Sequence, residues 1–480
     1  MSHFDVLIQG GDVVRPDGVV KADIGIIGEK IAVVASGGLL SQASANQIID
    51  ATGRIVIPGG IDPHVHMHHP WVMPDGTNMI TAGPEQVGRA ALFGGTTSLI
   101  DFAYYWRDGA SLQQAIENRD AHFVGRSYCD WAYHIMLHSD PPPDFGHEIA
   151  EAIQAGYPSL KIFTTNILPG RSGRMIDYGD IWEAFQVLAA HGGIGVIHAE
   201  DNDIVMHMYD KLIREGRTSY ENLAEVHNSL SEDLSFRRII RLAKSVPGTA
   251  LYMMHVSAAT GVAAIREARA QGQPVYGETL HQYMMYNADD YKKPNGQIYH
   301  TYPSLKGPED QQALWDGTVD GSISSVATDE LCCTLREKTT GKRIDDTTGG
   351  NSGVEPRLAV MYTEMVTRRG YSLPQYVDLV STNAAKLMGM YPRKGVIAPD
   401  SDADITILDP SRRGLIRATD LHETDYTPWE GHEINAWPET TLLRGKLMVH
   451  QGKFFGLPSD GQYLKRTIPE SIRRGPSLGR

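Results

Sequence analysis

The sequence predicts an α/β protein: a (β/α)8 TIM barrel with a smaller β-sandwich domain formed by the two ends of the chain. Three observations predict it. Between residues 55 and 329, eight short apolar runs alternate with amphipathic stretches, the pattern of βα units around a parallel sheet. The segments on either side read instead as short strands and Gly/Asp turns. At 480 residues and 41% hydrophobic content, the chain can bury one large core and a smaller one.

Residues 1–55 are the N-terminal part of the sandwich, with strands in "FDVLIQGGDVV" and "ADIGIIGEKIAVV". Residues 56–392 are the barrel. Its expected strands are "IVIPGGIDPHVH" (55–66), "TTSLIDF" (96–102), "DWAYHIML" (130–137), "SLKIF" (159–163), "GIGVIHA" (193–199), "LYMMHV" (251–256), "PVYGET" (274–279) and "SSVATD" (324–329). Between them, "PEQVGRAALFGG", "DIWEAFQVLAAHGG" and "GVAAIREARAQGQ" place apolar residues three and four apart with glycine near the ends, as helices do. Residues 393–480 return to strands in "DADITILD" and "TTLLRGKLMVHQGKFF". Both terminal pieces are too short to bury a core alone, so they are expected to pair. The Thr/Gly-rich stretch 332–353 is longer than an ordinary connection and reads as a lid or binding loop.

Composition excludes several classes. A net charge of -14 without any Lys/Arg-rich run argues against nucleic acid or an anionic membrane as partner. No leader pattern opens the chain and no run approaches the roughly 20 apolar residues that span a bilayer, so a cytoplasmic protein is expected. Cys129, Cys332 and Cys333 have no CxxC spacing and are too few for a disulfide framework; they read as reduced thiols. "LHQYMMY" and "WAYHIML" read as core packing rather than a stacking box.

The chemistry lies where polar residues interrupt apolar strands. "HVHMHH" puts His64 and His66 on one face of an extended chain. Lys161 sits inside "SLKIF", His198 ends "GVIHA", His255 closes "YMMH" and Asp329 ends "SSVATD". Each stands at the carboxyl end of a barrel strand, the rim where this fold builds its sites. Neutral imidazoles and a carboxylate suit a zinc-type ion, and four histidines with one aspartate exceed one tetrahedral shell, so two divalent ions are implied. Two ions need an anionic bridge, which a lysine cannot supply unless CO2 converts it to a carbamate.

In this order and with these separations, "GGIDPHVH", "SLKIF", "HAED", "MHVS", "VYGET", "ATD" and "GGNSGVEPR" resemble the amidohydrolase superfamily, and within it the hydantoinase and dihydropyrimidinase group. The likeness extends through "STNAAKLMGMYPRKGVIAPDSDADITILD" to "GQYLKR", nearly the whole chain. The resemblance implies that His64, His66 and Asp329 bind the more buried ion, that carboxylated Lys161 bridges both, and that His198 and His255 bind the second. It also implies a homo-oligomer, a tetramer or dimer, and "GKFFGLP" would fit an interface. The expected reaction is opening of a cyclic amide or imide by a metal-bridging hydroxide, with Asp329 as catalytic base and then acid.

The chain departs from the group where substrate is held. Asn166 stands five positions after the lysine, where the group usually has tyrosine; Tyr302 of "YPSL" replaces its serine; Gly349 replaces its asparagine, with Asn351 two residues on; and "ATDELCC" replaces "ATDHCPF". Asn166, Tyr302, Asn351 and His68 are therefore the candidate substrate contacts. Another ring opener, of allantoinase, dihydroorotase or imidase type, is the alternative; a substrate carboxylate would want an arginine, and Arg171, Arg174 and Arg336 are the candidates. A non-catalytic relative that has lost ligands is disfavoured because all six ligand positions are filled, and a mononuclear deaminase would not need Lys161.

Overall fold

The computed structural model describes residues 3–104 and 111–478. Eight parallel strands, each hydrogen-bonded to the next, run Gly60–Asp62, Thr96–Tyr104, Asp130–Met136, Ser159–Phe163, Ile194–His198, Leu251–Met253, Val275–Leu280 and Ile323–Ala327. The ends of the sheet meet through a parallel bridge between Val65 and Glu330, where His66 N donates to Glu330 O at 2.7 Å. Strands 159–163 and 194–198 are buried at every position. One face packs against the outer helices and the other fills the barrel, so these runs carry no polar alternation.

The helices begin and end on local chemistry. Pro84 and Pro308 open two of them at positions where no backbone donor is needed. The Asn228 side chain accepts from Ser231 N to cap the helix Ser229–Lys244. Gly192 ends the helix Tyr178–His191 at φ 88°, a left-handed conformation that glycine adopts without steric cost. Among the described residues, no helix is long and apolar enough to cross a membrane.

The two ends of the chain combine in a nine-stranded mixed sheet drawn from residues 3–58 and 405–454. Its core contains Ile8, Ile24, Ile31, Val56, Ile405 and Leu442. The expected first barrel strand, 55–66, is divided between the two sheets. Ile55–Pro58 pairs with His3–Arg15 and Ile405–Asp409 in the mixed sheet, and only Gly60–Asp62 enters the barrel. Gly59 lies at the crossing, where a Cβ would meet Thr97 Oγ1 at 2.3 Å. A continuous apolar run therefore hides a change of sheet that only glycine permits.

Lys394 ties the two sheets together. Its buried ammonium donates to Asp130 Oδ2 at 2.6 Å and Asp404 Oδ2 at 2.7 Å, and lies 2.9 Å from Asp402 Oδ2. Asp130 begins a barrel strand, and Asp402 and Asp404 precede the sheet strand Ile405–Asp409.

Candidate metal centre

His64 and His66 leave the first barrel strand two residues apart, and Asp329 follows the last one, so the closure of the barrel brings them together. Asp329 Oδ1 lies 3.0 Å from His64 Nε2 and 3.2 Å from His66 Nε2. Ligand atoms of these three residues all lie within 4.8 Å of one another, a spacing that one ion can occupy. Asp329 and His255 both hold positive φ, 53° and 38°, an arrangement that costs of order 1–3 kcal/mol per residue and clusters at functional sites.

The remaining rim residues face the same space. The rings of His198 and His255 are 4.5 Å apart, and those of His64 and His255 are 5.4 Å apart. Lys161 Nζ lies over the Phe102 and Phe163 rings and 2.8 Å from Met254 Sδ. It forms no ion pair among the described residues. Burial pushes its amine down to about 7 against the pull of Asp329 and Glu278. A thioether is a poor partner for a buried ammonium, and the neutral amine is the form that reacts with CO2. His64, His66 and Asp329 thus form a group that could hold one metal ion, and Lys161, His198 and His255 line the same cavity beside them.

Electrostatics prepare most of these groups for ligation. Burial pushes His198 down to about 4 and His255 well below the usual imidazole range, so both are neutral donors near pH 7. Burial also lowers His66. His64 differs: burial opposes its charge, but Asp329 and Glu278 outweigh it and raise the imidazole to about 9. Burial works against the Asp329 charge, yet His64 and His66 hold its carboxyl well below the ordinary value.

Two buried glutamates with no role assigned from the sequence orient the histidines. Glu278 Oε1 lies 2.8 Å from His64 Nδ1 and accepts from His255 N at 3.1 Å, while Tyr252 OH donates to Oε2 at 2.8 Å. Glu200 binds His198 Nε2 at 2.9 Å and His227 Nδ1 at 2.8 Å. Such carboxylates fix ring orientation and tautomer at metal sites. Both stand inside "VYGET" and "HAED", and an acid within an apolar strand end was the available signal.

A cavity opens beside these groups, and all six expected ligand residues line it. Tyr302 lines it too, beside Gly349 and Gly350, with its hydroxyl donating to Thr347 O at 2.8 Å. The other three expected substrate contacts lie elsewhere. Asn166 Oδ1 accepts from Arg174 N at 3.2 Å and Met175 N at 3.0 Å, closing its own loop. Asn351 is buried; in the orientation that satisfies its neighbours its amide donates to Ile298 O at 2.7 Å and accepts from Gln282 Nε2 at 2.8 Å. His68 stacks on His122 with centroids 3.9 Å apart, its backbone turned to φ 45°. The next histidine, His69, takes the cavity wall and is bound by the Tyr104 hydroxyl.

Arg171 and Arg174 both reach the cavity, the former 4.1 Å over the Trp71 ring, whereas Arg336 is exposed on the short helix Leu335–Thr339. The stretch 332–353 supplies Gly349 and Gly350 to the wall and is anchored from below by Lys338, whose ammonium donates to His300 O and Thr348 O at 2.7 Å. Cys332 and Cys333 are buried in this segment, and desolvation raises both thiols, which keeps them in the protonated, unreactive form.

Residues 55–448 match the amidohydrolase family. D-hydantoinases of Rhizobium radiobacter and Geobacillus stearothermophilus are each 34% identical, the first over 96% of this chain and 99% of its own length, the second over 96% of both. Among solved structures, D-hydantoinase from Bacillus sp. AR9 superposes with a TM-score of 0.90 at 33% identity, covering 96% of this chain and 99% of that one. Dihydropyrimidinase from Brevibacillus agri NCHU1002 gives 0.88 at 32%, covering 96% and 98%. The chain belongs to the amidohydrolase family, and within it to the hydantoinase group.

Proposed function

We propose that the protein opens the ring of a cyclic amide or imide of the hydantoin or dihydropyrimidine type by hydrolysis. The observation that carries the reading is the convergence of His64, His66, Lys161, His198, His255 and Asp329 on one cavity. Family membership supports it, and the D-hydantoinases at 34% identity act, by their names, on hydantoins.

Two divalent ions, zinc being the expected metal, would acidify a water molecule and polarise the amide carbonyl. The protein's own groups do the rest. A bond from Lys161 Nζ to the carbon of CO2, with loss of a proton from nitrogen, would turn the buried amine into an anionic ligand for the ions; its lowered basicity makes the neutral amine available for this. Asp329, ionised at neutral pH, accepts a proton from the attacking water as the new C–O bond forms. It returns that proton to the ring nitrogen as the C–N bond breaks. The product is an open-chain N-carbamoyl or carboxamide acid. Thr301 Oγ1 donates to Asp329 Oδ2 at 2.5 Å and so positions the carboxylate.

The test is incubation of the metal-loaded protein with dihydrouracil, hydantoin, 5-substituted hydantoins, allantoin, dihydroorotate, succinimide and phthalimide, with mass spectrometry for gain of one water. Ring opening that disappears in Lys161→Ala supports the reading. Absence of ring opening across the whole panel, with metal bound, refutes it.

A further inference from the structure

Resting on the ring-opening reading, we propose that the substrate carries an anionic carboxylate on the part of the molecule that faces the cavity mouth, and that Arg171 binds it. The six expected ligand residues account for part of the cavity lining but leave the part formed by Arg171, Arg174 and Trp71 unexplained. There Arg171 lies against Trp71, with the guanidinium 4.1 Å from the ring centroid, and both residues line the cavity.

Arg171 is half-buried and has no carboxylate partner among the described residues. A guanidinium without a counter-charge in a partly desolvated wall is costly to the free protein, and its planar fork matches a carboxylate. Trp71 holds the plane of the guanidinium by stacking. Arg174 stands on the same wall, its guanidinium 5.4 Å from the Phe163 centroid.

The loop geometry fixes these positions. Asn166 Oδ1 accepts the backbone donors of Arg174 and Met175, and Leu168 O accepts from Arg171 N at 3.2 Å. The Trp71 side comes from a two-strand hairpin, Pro70–Val72 with Asn78–Ile80. A neutral or purely apolar substituent would use the indole but leave the fork of Arg171 unsatisfied. An acidic arm on the ring would use both.

The experiment compares 5-(2-carboxyethyl)hydantoin with its neutral isostere 5-(2-carbamoylethyl)hydantoin on the metal-loaded enzyme, and the two ring-opened products, N-carbamoyl-glutamate and N-carbamoyl-glutamine, by titration calorimetry. The acid is expected to be favoured by about 10- to 100-fold in kcat/KM and in product affinity, the range of a hydrogen bond to a charged group. Arg171→Gln should bring the acid-to-amide ratio toward one, and Arg171→Lys should keep its direction at reduced size. Equal handling of acid and amide by the wild type, or a ratio unchanged in Arg171→Gln, overturns the proposal. If neither ring opens while N-carbamoyl-glutamate still binds more tightly than N-carbamoyl-glutamine through Arg171, the ring-opening reading fails and the carboxylate site stands.

Discussion

Glu278 Oε1 lies 2.8 Å from Nδ1 of His64, and the opposite ring nitrogen of that histidine lies 3.0 Å from Asp329. The imidazole is thus held between an inner carboxylate and the cavity, with Nε2 presented to the rim. Glu278 serves a second strand as well, since it accepts from His255 N at 3.1 Å. One side chain sets two of the expected ligands.

Replacement of Glu278 by glutamine should therefore weaken metal binding by about 10- to 100-fold, the usual effect of losing a ligand-orienting carboxylate. Competition with a chromophoric chelator reads this directly. An unchanged affinity would mean that His64 is positioned by the backbone alone.

Thr301→Val should lower kcat by about tenfold, the value of one hydrogen bond to a charged group, with KM little affected. Thr301 Oγ1 donates to Asp329 Oδ2 at 2.5 Å and orients the carboxylate that moves the proton. Thr301→Ser, which keeps the hydroxyl, should recover most of the rate; steady-state kinetics on a ring that the wild type opens decides it.

Acidification should destabilise the metal-free protein through Glu200. Burial disfavours its charge, but His227 and His198 outweigh this and hold the carboxyl well below its ordinary value of 4.5. A depressed acid contributes stability that is complete above the unfolded value and is lost as pH falls below it. Thermal unfolding midpoints should accordingly fall more steeply between about pH 5 and about pH 2 in the wild type than in Glu200→Gln.

Lys394→Met should cost about 3–5 kcal/mol, because it leaves the buried Asp404 without its cation, while Asp130 keeps Arg444 and Asp402 keeps Lys30. Asp130, Asp402 and Asp404 would face one another across the junction between barrel and mixed sheet. Chemical denaturation measures the loss, and a change under 1 kcal/mol, the range of an exposed pair, would remove Lys394 from its role as the tie.

The clustering of the six rim residues on one cavity was legible because each breaks an apolar strand at its carboxyl end. A polar residue there has few structural uses, and Lys161 within "SLKIF" or His198 within "GVIHA" needs no long-range information to be noticed. The substrate contacts were not legible, because they depend on loop conformation. Asn166 occupies an informative position in the chain, yet its side chain is used by the donors of residues 174 and 175. His68 and His69 are neighbours, and only the backbone turn at His68, φ 45°, decides which of them faces the cavity. The division of 55–66 between two sheets was hidden for a related reason: Gly59 marks a close approach to Thr97 that no strand pattern records. Glu278 and Glu200 were visible as acids in strand ends, but Glu278 meets His64 from another strand, and Glu200 meets His227 at a helix end as well as His198 two residues before it.

In the proposed reaction, water activated at this cavity and deprotonated by Asp329 opens a ring amide. Hydrolysis of a hydantoin by the zinc-loaded protein in 18O-enriched water tests it most directly. One heavy oxygen is expected in the new carboxylate of the N-carbamoyl acid, and no product from Asp329→Asn loaded with the same metal. Ring opening at an unchanged rate in Asp329→Asn, or a product without heavy oxygen, would contradict it.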